Sequence, residues 1–134
     1  MRHISPLTIA IALAVGSACT DRSDIWDKPV SLTAEALSNQ VVVLDKAAER
    51  AVMLRPSTPT EIQIDHAPLS RNIVSTAVSA DKSLLFVLST GDSPRVNPDD
   101  QPPRLTIFGA DNTLRTIDLP SALPQMAIDP LGQW

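Results

Sequence analysis

Side chains able to do covalent or acid–base chemistry are few and scattered along this chain. There is one cysteine, Cys19, and two histidines, His3 near the N-terminus and His66 beside Asp65. A neighbouring carboxylate could orient an imidazole for proton transfer, but successive residues of a strand point to opposite faces. Asp65 and His66 therefore read as a surface or turn pair. A serine nucleophile needs a recognisable setting, and no Gly-x-Ser-x-Gly occurs. A structural zinc site needs clustered ligands, which one histidine and one cysteine cannot supply. Asp92, Asn97, Asp99 and Asp100 could offer oxygens to calcium, yet their spacing lacks the alternation and glycine of a calcium loop. With Pro94, Pro98, Pro102 and Pro103 among them, Gly91 to Arg104 reads as a proline-stiffened exposed loop that a partner could touch. The expectation is no catalytic set, no metal and no cofactor.

The elements that would position these residues are set by composition. Of 134 residues, 43% are hydrophobic and 19% charged, which suits a folded chain and not a disordered one. Twelve prolines against four glycines and no tyrosine exclude long uninterrupted helices. Branched aliphatics take the place of the scarce aromatics and favour strands. The net charge of −4, with arginines placed singly, argues against nucleic acid, whose phosphates need a basic patch.

The N-terminus has the layout of a secretory signal peptide. Arg2 supplies the positive charge, Ile4 to Val15 an apolar run, and Gly16, Ser17 and Ala18 the small residues of a cleavage site. The apolar run is too short for a bilayer core, which takes ~20 residues. Gly16-Ser17-Ala18-Cys19 resembles a lipobox, the site where bacterial lipoprotein precursors are acylated on cysteine and cleaved before it. It departs from that pattern at Gly16, where leucine is commonest. Ordinary cleavage after Ala18 is the rival reading. A lone cysteine can form no internal disulfide, and a free thiol is a liability in an oxidising compartment. Acylation of Cys19, palmitate included, resolves the oddity and makes membrane lipid the first expected partner. Thr20, standing where an aspartate would retain a lipoprotein at the inner membrane, points to the outer membrane of the cell envelope.

Residues 1–18 are thus read as signal peptide and residues 19–40 as a lipid-anchored tether. Within the tether, Ser31 to Leu37 could form a helical turn or two, or remain a plain linker. From Val41 the chain turns to short β-rich runs. These are Val41–Leu44, Ala51–Leu54, Glu61–Asp65, Ile73–Val78, Leu84–Leu88, Leu105–Phe108, Leu114–Leu119 and one beginning at Met126. The Glu-Ile-Gln-Ile-Asp run alternates as a half-buried strand does. Weak repetition links Ala77–Leu84 with Ala127–Trp134, and Val41–Leu54 with Leu105–Leu119.

The turns Ser79-Ala80-Asp81-Lys82 and Asp129-Pro130-Leu131-Gly132 resemble degraded copies of the Ser-Pro-Asp-Gly turn of bacterial YVTN-like β-propellers. The likeness covers about Val41 to Trp134. It implies an all-β fold: the first one or two blades of a propeller in residues 41–134, with further blades beyond a truncated C-terminus. A small complete β-sandwich is the alternative. The implied function is an envelope scaffold binding a protein or surface polymer. Two alternatives are a propeller hydrolase or lactonase with its catalytic residues in missing blades, and a small structural lipoprotein.

Overall fold

The computed structural model describes residues 30–129, so the expected signal peptide, Cys19 and most of the expected tether lie outside the described residues. Eight strands form two four-stranded antiparallel sheets, and there is no helix among the described residues. The first sheet contains β1 (Leu32–Ala36), β2 (Val41–Asp45), β3 (Arg50–Thr58) and β4 (Glu61–Pro68). The second contains β5 (Ile73–Val78), β6 (Leu84–Ser89), β7 (Arg104–Gly109) and β8 (Leu114–Asp118). In each, neighbours in sequence are neighbours in the sheet.

Two expectations about the elements are corrected. Ser31–Leu37 is no helical turn: Leu32–Ala36 pairs with β2, so the folded region starts before Val41. Leu, Ala and Glu favour helices weakly, and pairing with β2 overrides that preference. Residues Met126–Ile128 form no strand, although Met126 and Ile128 are half-buried between exposed neighbours.

The sheets stack face to face through side chains that alternate along their strands. Val42 and Leu44 on β2, Ala51 and Met53 on β3, and Ala67 on β4 are buried on the inner face of the first sheet. Against them lie Leu85 and Val87 of β6 and Phe108 of β7, with Val78 packed beside. Removing side chains such as Leu44, Leu85 and Phe108 from water contributes about 1.5–3 kcal/mol each.

The stacking keeps strand order. Thr76 on β5 donates to the Glu35 carboxylate on β1 (3.4 Å), so these two leading strands lie side by side. The Ser38 amide in the β1–β2 turn donates to the Lys82 carbonyl in the β5–β6 turn (2.9 Å). Gln40 Nε2, in a buried side chain, donates to the Gly109 carbonyl at the end of β7 (2.8 Å). The link Leu69–Asn72 therefore carries the chain from the last strand of one sheet back to a place beside the first.

Candidate functional site

His66 and Asp65 do lie on opposite faces. His66 pairs in register with Val52 and is exposed on the outer face, whereas Asp65 sits across from Met53 on the inner face. There Asp65 is in an ion pair with Arg55, whose side chain is largely covered. The two neighbours share no chemistry.

The loop from Gly91 is held by its own carboxylates. Asp92 accepts from Arg71 Nη1 (3.1 Å) and from the Gln101 amide (2.9 Å). Asp100 accepts from the Val96 and Asn97 amides (2.6 and 2.7 Å), and these bonds lower its pKa. Of the residues that could have ligated calcium, Asp92 and Asp100 are thus committed to backbone and guanidinium donors. No group of three His, Cys, Asp or Glu is arranged to hold a metal among the described residues. Gly91 has φ +65°, where a Cβ would run into the Gln101 carbonyl oxygen and lie 2.6 Å from the Pro102 carbonyl carbon. Only glycine closes this loop without strain.

Arg71 joins three distant parts of the sequence. It contacts Glu49 (3.5 Å) in the β2–β3 turn and Asp92 after β6. Hydrogen bonding to and attraction by Asp92, then attraction by Glu49, raise its pKa. A cleft of about 670 Å³ opens here, lined by Asp45, Glu49, Arg50 and Arg71. Its charges are mutually paired, with Asp45 bound to Arg50 (3.3 Å), so it offers a neutral wall and no free nucleophile. No sequence signal pointed to this cluster, because its members lie in three different connections.

The two tight turns of the second sheet share one construction. Asp81 accepts from the hydroxyls of Ser79 (2.6 Å) and Ser83 (2.8 Å) and from the Ser83 amide (3.0 Å), which hold its pKa down at about 2. Asp111 accepts in the same way from the Thr113 hydroxyl (2.7 Å) and amide (3.1 Å), again lowering its pKa. Lys82 and Asn112 take the left-handed conformation that follows each aspartate (φ 55° and 72°). These bonds shape hairpins and leave no carboxylate idle.

The most unusual surface is apolar. The outer face of the first sheet carries Leu32, Val41, Val43, Val52, Leu54, Ile62 and Ile64, of which Ile62 is 66% exposed and Ile64 56%. The alternation of β4 was legible in sequence, but its isoleucines point outward and the face with Asp65 and Ala67 points in. The outer face of the second sheet carries Phe86 and Leu88, already covered within the chain, then Leu105, Ile107 and Ile117, the last 48% exposed.

The two sheets share one strand order, and aligning their hairpin ends superposes their pairing registers. Val41 pairs with Leu54 and Asp45 with Arg50, as Leu85 pairs with Phe108 and Ser89 with Arg104. Val41–Leu54 therefore matches Leu85–Phe108. This corrects the expected match with Leu105–Leu119, which the long β6–β7 loop had disguised. The other expected repeat runs into residues outside those described.

No family model matches the chain, and no curated protein matches it. Among solved structures it is similar to a functionally unknown protein from Desulfotomaculum acetoxidans DSM 771, at 13% identity and a TM-score of 0.47. The match covers 75% of this chain and 30% of that one.

Proposed function

We propose that this protein is a lipoprotein of the bacterial cell envelope, held to a membrane by acylated Cys19, and that its sheets are consecutive blades of a β-propeller scaffold that binds a protein or surface polymer. A blade is a four-stranded antiparallel sheet, and blades repeat around an axis. The observation that carries the reading is the register match between the sheets, combined with stacking that sets β5 beside β1. A complete two-layer sandwich covers its inner faces and turns polar residues outward. Here the outer face of the first sheet carries apolar residues on all four strands, beside His66 and the Asp45–Arg50 pair. The anchored reading is supported by the leader and the small residues before Cys19. Among the described residues no helix is long and apolar enough to cross a membrane. The loop from Gly91 to Arg104, stiffened by its aspartates and presenting exposed Val96, is the part offered to a partner.

The test is the intact mass of the protein extracted from membranes, beside its Cys19→Ala variant. Acyl mass on a chain starting at Cys19, absent from the variant, is the expected result. An unacylated chain beginning at Cys19 in the native protein removes the anchor from the proposal.

A further inference from the structure

We infer that β4 takes up an extended segment of another protein as an added antiparallel strand along its open edge. The segment alternates apolar and polar residues and carries a lysine or arginine opposite Glu61. The inference names the kind of protein partner and rests on the blade reading in one respect. Blades repeat around an axis through their faces, so further blades leave an outer edge uncovered.

Each sheet ends in two edge strands. β1 and β5 are the leading edges and lie side by side, Thr76 against Glu35. β8, the far edge of the second sheet, has five residues, with Arg115 within it and Pro120 shortly after. A short strand, a charge and a proline are ordinary means of keeping an edge from pairing. β4, the far edge of the first sheet, has eight residues, no lysine or arginine, and a proline only at its last position, Pro68. The irregularity of its hairpin, between Pro56 and Thr58, lies in β3. An inward-pointing charge also guards an edge, but Asp65 is neutralised by Arg55.

The backbone of β4 is set for one more strand. The Leu69 amide donates to the Glu49 carbonyl (2.8 Å), so the alternation of an antiparallel ladder turns Gln63, Asp65 and Ala67 toward β3. The amides and carbonyls of Ile62, Ile64 and His66 then point to the open side, where no strand of the described residues pairs. A peptide laid there closes those bonds, and its side chains follow the pleat. On the outer face they meet Ile62 and Ile64, the apolar positions of the strand. On the other face they meet Glu61, Gln63 and Asp65. Glu61 is in no ion pair among the described residues. With Ser57, Ile62 and Gln63 it lines a shallow cleft of about 380 Å³, where a basic side chain fits.

The experiment is titration of the full chain, residues 1–134 extracted in mild detergent, with a labelled Thr-Val-Thr-Val-Lys peptide. Fluorescence anisotropy reads binding, and amide hydrogen exchange reads its place. Saturable binding below about 1 mM is expected, with slowed exchange at Ile62, Ile64 and His66. Methylating the backbone nitrogens of both valines, which face the open groups of β4, should abolish it. Ile64→Pro removes an outward amide that the fold does not use and should also abolish it, with far-UV circular dichroism unchanged. Glu61→Lys should weaken binding about five-fold, and a peptide with glutamate in place of lysine should recover it. Binding indifferent to N-methylation overturns the inference. So does exchange that is fast at these amides and stays fast with peptide, which leaves the blade reading standing. Amides already protected in the free chain mean that the chain itself covers this edge, and remove the blade arrangement along with the inference.

Discussion

Val41 and Leu85 occupy the same register position in the two sheets, each opposite the equivalent residue of the next strand, yet Leu85 is fully buried and Val41 is 37% exposed. The difference lies in what each sheet has beside it. Leu85 has the first sheet against it, and Val41 has no sheet of the described residues on its side.

That asymmetry sets a measurable contrast. Leu85→Ala should destabilise the fold by about 2–5 kcal/mol, the usual cost of truncating a close-packed leucine. Val41→Ala should cost well under half of that when the chain is monomeric. Urea unfolding of both variants at low protein concentration checks the contrast, and equal costs would show Val41 to be covered.

Gly91→Ala should cost roughly 1–3 kcal/mol, because a left-handed residue gains a Cβ directly against the backbone of Gln101 and Pro102. The fall in thermal midpoint should come with loosening of the loop, seen as faster amide exchange at Asp92 and Gln101. Asp92 anchors both that loop and Arg71, so the change should also weaken the Arg71 cluster.

The Asp81 carboxylate should titrate at about 2, below the ~3.9 of a free aspartate. A carboxylate with a depressed folded-state pKa stabilises the fold above its unfolded value. That contribution disappears as pH falls from ~3.9 through about 2. Carbon-detected NMR of the side chain between pH 1.5 and 5 checks it. Asp81→Asn should remove this titration and leave that of Asp111 in place, itself depressed through Thr113.

Replacing Cys19 with serine should move the protein from the membrane fraction to the soluble one, since the proposed anchor is lost while residues 30–129 keep their fold. Fractionation followed by mass analysis checks this. Continued membrane association of the variant would point to a second attachment.

Most strands were legible because β2 and β6 are continuous apolar runs and β8 begins after a turn-forming Asp-Asn pair. β1 was hidden, because Leu-Thr-Ala-Glu-Ala has helix-forming composition and becomes a strand only through pairing with β2. In β4 the period of two was plain, but period alone does not tell which face is covered. The repeat was mismatched because the insertion from Thr90 to Pro103 displaced β7 along the sequence, and only pairing registers restore the match. The Glu49–Arg71–Asp92 cluster carried no sequence signal, since its members meet only when the connections gather at one end of the sheets. Cys19, by contrast, is singled out by the sequence alone and lies outside the described residues.

Because each sheet is one uninterrupted stretch of chain, its strand pairs close over short loops and carry a small entropic cost of closure. The first sheet can therefore zip up while the second is still unformed, and the link at Leu69–Asn72 then needs only to swing β5 alongside β1. The slow and cooperative event should then be the docking of the two sheets. Unfolding should accordingly begin with their parting, before any hairpin comes undone.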